Sequence, residues 1–77
     1  VEKISINFLN LKNKIKYTKN INQFLKKTKK DFERIFNIKI EYLENRNTND
    51  LSLSNKYNGS KIFLAYYYRS VRLIDNF

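Results

Sequence analysis

Residues 20–36 carry a pattern that only a helix satisfies. The apolar side chains there are Ile21, Phe24, Leu25, Phe32, Ile35 and Phe36. Their three- and four-residue spacings put them on one stripe of an α-helix, and a strand's two-residue period cannot collect them. Lys26, Lys27, Lys29, Lys30 and Arg34 fill most of the remaining surface. The helix therefore turns an apolar face to a core and a cationic face outward. Asn20 and Asn22 offer N-caps, and Gln23 follows Asn20 as a loose capping box. Lys27 with Asp31, and Lys29 with Glu33, stand at i,i+4 and are expected to pair, worth about 0.3–0.5 kcal/mol each.

The segments around this helix read as follows. Residues 1–11 are ambiguous: Ile4, Ile6 and Phe8 alternate as in a strand, while Ile4, Phe8 and Leu11 also fit a helical row. Residues 10–13 read as a turn. Residues 14–18 alternate, with Ile15 and Tyr17 opposite Lys14 and Lys16, which predicts a half-buried strand. Residues 38–43 alternate again, with Ile38, Ile40 and Tyr42 inward. A polar loop is expected at about 44–60, with Leu51 and Leu53 as a short extra strand inside it. Residues 61–70 form the most hydrophobic run, a strand with Ile62, Leu64 and Tyr66 on one face and Phe63, Ala65 and Tyr67 on the other. The tail VRLIDNF closes the chain. One helix on one face of a small antiparallel sheet is the natural layering, an α+β fold with a long loop before the last strand.

Seventy-seven residues make one domain, spanning 1–77. A chain this short buries only about 60% of its unfolded surface and is marginal alone. With no cysteine and no histidine it has neither disulfides nor the usual soft metal ligands, which suggests a reducing compartment or support from a partner. No apolar run approaches the roughly 18 residues a membrane span needs. No charged-then-apolar leader is visible in the sequence, and processing would remove one. The net charge of +9 points to a polyanion: nucleic acid, an anionic membrane or acidic protein tails. Part of that excess has a simpler source, because a chain crowded with Lys, Asn and Ile matches an A+T-rich genome.

The chain reads as non-catalytic, with no cofactor and no metal. Asp31 and Glu33 are two apart on a helix and do not face each other, and Glu41 and Glu44 read as solvated strand charge. Ser52, Ser54, Ser60 and Ser70 have no base partner in the sequence, and one glycine cannot build a phosphate loop.

Lysine outnumbers arginine, and an ammonium is a compact point charge that suits a phosphate backbone better than a base edge. The candidates for phosphate contact are Lys3, Lys14, Lys16, Lys26, Lys27, Lys29, Lys30, Lys39, Arg46, Lys61, Arg69 and Arg72. Each alone is an ordinary solvated cation; the collective signal is stronger. Tyr57, Tyr66, Tyr67 and Tyr68 could stack on bases, although a tyrosine run in a strand more often fills a core and its rim.

Three stretches, KNKIKYTKN, FLKKTKKDFERIFNIKI and SKIFLAYYYRSVRLIDNF, resemble the large-subunit ribosomal protein twenty-three family of bacteria and organelles. Val1-Glu2-Lys3 stands where the family has Thr-Glu-Lys, and residues 13–18 match its Asn followed by an alternating strand. Phe32-Glu33-Arg34-Ile35-Phe36, then Asn37-Ile38-Lys39-Ile40, is similar to the family's Val-Glu-Lys-Leu-Phe and Asn-Val-Lys-Val. Residues 60–65 and 73–77 resemble its last strand and its Leu-Asp-Phe ending. Leu43-Glu44-Asn45-Arg46 departs from the family's Val-Asn-Thr-Leu, and residues 46–60 carry only Arg46 and Lys56 where the family's loop is strongly basic.

The resemblance implies a structural protein at the rim of the peptide exit tunnel. Its partners would be large-subunit rRNA and neighbouring ribosomal proteins, with trigger factor or signal recognition particle docking close by. Glu2 is the position that would inherit factor docking; its plainer reading is an exposed acid. The family's first segment is a short helix, which tips residues 2–10 toward helix. A ribosome of a plastid, a mitochondrion or a reduced-genome bacterium would suit the composition. The alternative is a ubiquitin-like β-grasp domain that binds an acidic partner such as microtubule tails. It requires residues 2–10 to be a strand hairpinned to 14–18.

Overall fold

The computed structural model describes residues 2–77, with side chains from Ile4 onward. Two helices, α1 (Glu2–Ile15) and α2 (Ile21–Phe36), precede three strands, β1 (Lys39–Asn47), β2 (Ser60–Tyr68) and β3 (Val71–Asn76). The strands form one antiparallel sheet in the order β1-β2-β3. The architecture is the α+β layering expected, with both helices packed on one face.

Helix α1 is longer than expected, and it overrides two expectations from the sequence. Ile4, Phe8, Leu11 and Ile15 are all buried, so the helical row runs unbroken through the stretch expected to turn. The expected strand at 14–18 is the last turn of α1 and the turn that follows. Its apparent alternation is a coincidence: Ile15 belongs to the helical row, while Tyr17 is 86% exposed.

Helix α2 is the expected amphipathic rod, with corrections at its ends. Ile21 and Leu25 are buried, and Phe24, Phe32 and Phe36 pack against the core from partly buried positions. Ile35 lies off the stripe and is 62% exposed. Thr28 takes the buried place between the two apolar clusters, its hydroxyl donating to the Phe24 carbonyl at 2.9 Å. Asn20 is the N-cap, but its side chain makes no capping bond. The helix ends at Asn37, which takes the left-handed conformation that closes a helix, φ 52°.

Strand β1 does not alternate from end to end. Its pairing with β2 slips between Ile40 and Tyr42, so one extra residue sits in the strand. Ile40 faces the core, as expected, but Tyr42 turns outward and Leu43 and Asn45 face inward. The slip keeps Glu44 and Arg46 out of the core, where strict alternation from Ile40 would have placed them.

β1 runs to Asn47, so the loop is shorter than expected, and it joins β1 to β2 rather than preceding the last strand. Leu53 makes only an isolated bridge to Arg46, and both loop leucines are exposed. The tail is a true strand, β3. It turns back from β2 through Arg69 and Ser70, both at positive φ (50° and 68°), a tight hairpin built without glycine or asparagine.

The core joins α1, α2 and the inner face of the sheet. Phe8 is its centre, with Phe32 at 5.2 Å edge-on and Tyr66 at 5.3 Å between ring centroids. Lys12 ties α1 to the end of the chain: its ammonium donates to the Ser60 and Phe77 carbonyls and lies over the Tyr57 ring.

Candidate nucleic-acid interface

The outward face of α2 places four lysines together. Lys26, Lys27 and Lys30 are exposed and Lys29 is half-buried. Gln23, Lys26, Lys27 and Lys30 rim a shallow depression of about 210 Å³. From Gln23 to Lys30 this ridge runs about 10 Å along the helix axis. Lys14 in the last turn of α1, and Lys16 and Lys19 in the turn between the helices, are also exposed. Lys26 and Lys29, with Asn22, also rim a second groove of about 350 Å³ whose far side is Glu41, Tyr42, Leu43, Glu44 and Leu53.

Neither expected lysine–carboxylate pair on α2 forms. Asp31 pairs instead with Arg34 at 3.5 Å. Glu33 reaches across to β1, where it accepts a hydrogen bond from the Ile40 N–H at 2.9 Å. The same arrangement recurs elsewhere. Glu44 is held by Arg46 at 3.1 Å, and Glu41 by Arg72. Asp50 accepts from the Ser52 N–H and hydroxyl, and Asp75 from the Asn76 N–H. Among the described residues, every ion pair is made by an arginine and none by a lysine. Lys26, Lys27, Lys29 and Lys30 therefore make no ion pair among the described residues, although Asp31 and Glu33 on the same helix, and Glu41 and Glu44 across the second groove, temper the positive field there.

The remaining candidates are scattered. Arg46 is engaged by Glu44 and by the Leu51 carbonyl at 2.7 Å, and so organises the loop. Arg72 joins Glu41 and Tyr67 in a tie that crosses all three strands. The Arg72 guanidinium holds the Glu41 carboxyl below the usual carboxylate range. Arg69 stacks over Tyr68 at the β2–β3 turn. Lys39 and Lys61 are exposed on the open side of the sheet. The side chains of Lys3 and Glu2 lie outside the described residues, so Glu2's factor-docking role has no geometry to weigh.

Of the tyrosines offered for stacking, Tyr66 is buried against Phe8, Tyr57 lies beneath Lys12, and Tyr68 packs against the core. Of these four, Tyr67 alone stands on the open face. No family model, curated protein or solved structure matches this chain.

Lys12, the cation that ties α1 to Ser60 and Phe77, is absent from the candidates read from the sequence. Burial and the neighbouring Lys61 charge lower its pKa. Its row-mates Phe8 and Ile15 are the available signal, since Lys12 lies one turn from each on the same helix. No described helix is long and apolar enough to cross a membrane.

Proposed function

We propose that this chain is a structural constituent of the large ribosomal subunit, of the protein twenty-three type, that grips rRNA phosphates with α2. The single observation behind this is the α2 lysine ridge, left without carboxylate partners while the described acids bond to arginine, serine or backbone groups. The resemblance in Phe32-Glu33-Arg34-Ile35-Phe36 and Asn37-Ile38-Lys39-Ile40 supports it, because that helix-to-strand junction is built here as the family pattern implies. The family's strand at 13–18 has no counterpart, since those residues end α1 and make the following turn. Residues 2–15 are helical, which leaves the β-grasp alternative without its opening hairpin.

Co-sedimentation with large ribosomal subunits in high salt tests the proposal. The protein should pellet with the particle; a protein that stays in the supernatant is not its constituent. If about six cations reach phosphates, affinity for isolated rRNA should fall by about three decades between 50 and 200 mM salt.

A further inference from the structure

We infer that the open face of the sheet is a second nucleic-acid surface, one that stacks unpaired bases of an RNA strand. This rests on the RNA-binding reading above and adds a surface that meets the α2 groove only at its β1 edge, at Tyr42 and Glu44.

Both helices cover one face of the sheet and leave the other open, with Leu51 of the β1–β2 loop beside Tyr42 and Phe63 at its β1 edge. On the open face stand Tyr42 from β1, Phe63, Ala65 and Tyr67 from β2, and Ile74 from β3. The register puts Ala65 opposite Tyr42 on one side and Ile74 on the other, with Phe63 and Tyr67 two residues away along its own strand. Ala65 has no exposed surface, although no helix lies over it. The side chains around it therefore close over its methyl group, and three half-buried rings surround it, with Ile74, 60% exposed, on the fourth side. The Tyr67 hydroxyl donates to Glu41 at 3.3 Å, which steadies that ring.

The surrounding charge selects the occupant. Lys39 pairs across from Tyr67, and Lys61 sits two residues before Phe63, so a lysine marks each end of the aromatic row. Both carboxylates of this face, Glu41 and Glu44, form their ion pairs with Arg72 and Arg46, so neither lysine is tied up in one, although Lys39 lies close enough to Glu41 to feel its charge. The row from Lys61 to Tyr67 spans about 20 Å of strand, the scale on which aromatic sheet faces stack two or three bases. A protein partner would press its apolar face onto these two ion pairs and desolvate them, whereas an RNA strand leaves them wet at the rim.

Photo-crosslinking of a thiouridine-substituted oligouridylate to the wild-type protein tests this without any substitution. Crosslinks should map to the peptides carrying Tyr42, Phe63 and Tyr67. In equilibrium binding, Tyr42→Leu, Phe63→Leu and Tyr67→Leu should each weaken the oligouridylate roughly tenfold and leave an RNA duplex within about twofold. Replacing Lys26, Lys27 and Lys30 by Gln should do the reverse. Crosslinks confined to α2, an oligouridylate affinity indifferent to the rings, or rings shielded only by a bound protein would overturn this surface. Failure to bind either RNA would instead remove the RNA reading itself.

Discussion

Asn22 pairs with Asn45 as a strand residue would. Its side-chain oxygen accepts from the Asn45 N–H at 2.8 Å, and its amide nitrogen donates to the Asn45 carbonyl at 3.1 Å. The same nitrogen donates to the Ser54 carbonyl at 2.8 Å. One side chain from the first turn of α2 therefore satisfies the outer edge of β1. Glu33 does so at Ile40, and the loop does so through Asn47 with Ser52 and Ser54 with Asn45. Asn22→Ala leaves the Asn45 N–H without its partner, while the Asn45 and Ser54 carbonyls keep the Ser54 N–H and the Asn45 amide, and should cost about 1–3 kcal/mol. The urea midpoint of the variant measures it; an unchanged midpoint would mean water replaces the amide without loss.

Phe8 is the larger liability. It is almost wholly buried and touches both Phe32 and Tyr66, so Phe8→Ala should cost about 3–5 kcal/mol, enough to unfold so small a domain. Phe32→Ala should cost less, because that ring is only partly buried. Thermal circular dichroism ranks the two, and an equal or reversed order would relocate the centre of the core.

Replacing Lys26, Lys27, Lys29 and Lys30 together by Gln should leave the circular dichroism intact. It should weaken rRNA binding and flatten its salt dependence by about one unit of log slope for each phosphate the helix no longer reaches. A slope that stays the same excludes α2 from the RNA-binding surface.

The Glu41 carboxyl has a lowered pKa in the folded state, chiefly through its hydrogen bond to Arg72. The unfolded chain therefore binds that proton more readily, and the tie across the strands stabilises at neutral pH. Its contribution falls as the pH drops from the ordinary carboxylate range through the folded value. A Glu41→Gln variant should show a shallower loss of stability on acidification, read from urea midpoints between about pH 6 and pH 3.

Ser70→Gly should stabilise the domain. Ser70 holds φ 68° in the β2–β3 turn, where glycine sits without steric cost, for a gain of about 0.5–1 kcal/mol in thermal unfolding. The same residue shows why β3 is not legible in the sequence: Arg69-Ser70 carries no hairpin signature, so the strand looks like a tail.

The legible parts of the fold are those a periodic apolar pattern dictates. The α2 stripe and the inner face of β2 through Ile62, Leu64 and Tyr66 follow directly from residue spacing. Residues 14–18 mislead because five residues hold too few apolar positions to separate a period of two from the end of a helical row. The slip at Glu41 and the role of Asn22 have no local signal at all, since both depend on where β1 lies against its neighbours. At the candidate site the lysine cluster on α2 is readable. The division of labour, in which Arg34, Arg46 and Arg72 take the ion pairs and the α2 lysines make none, is not.

The extra residue in β1 behaves like a comma in the strand. Striking out Glu41 would cost the tie to Arg72 yet leave the sentence readable, because Tyr42 would simply follow Ile40 and every later residue would keep its side. Striking out Glu44 instead would transpose the ending: Asn45 would swing into brine and Arg46 would be driven beneath the helices. A one-residue deletion is thus forgiven at a single place in this strand, where the surplus already stands.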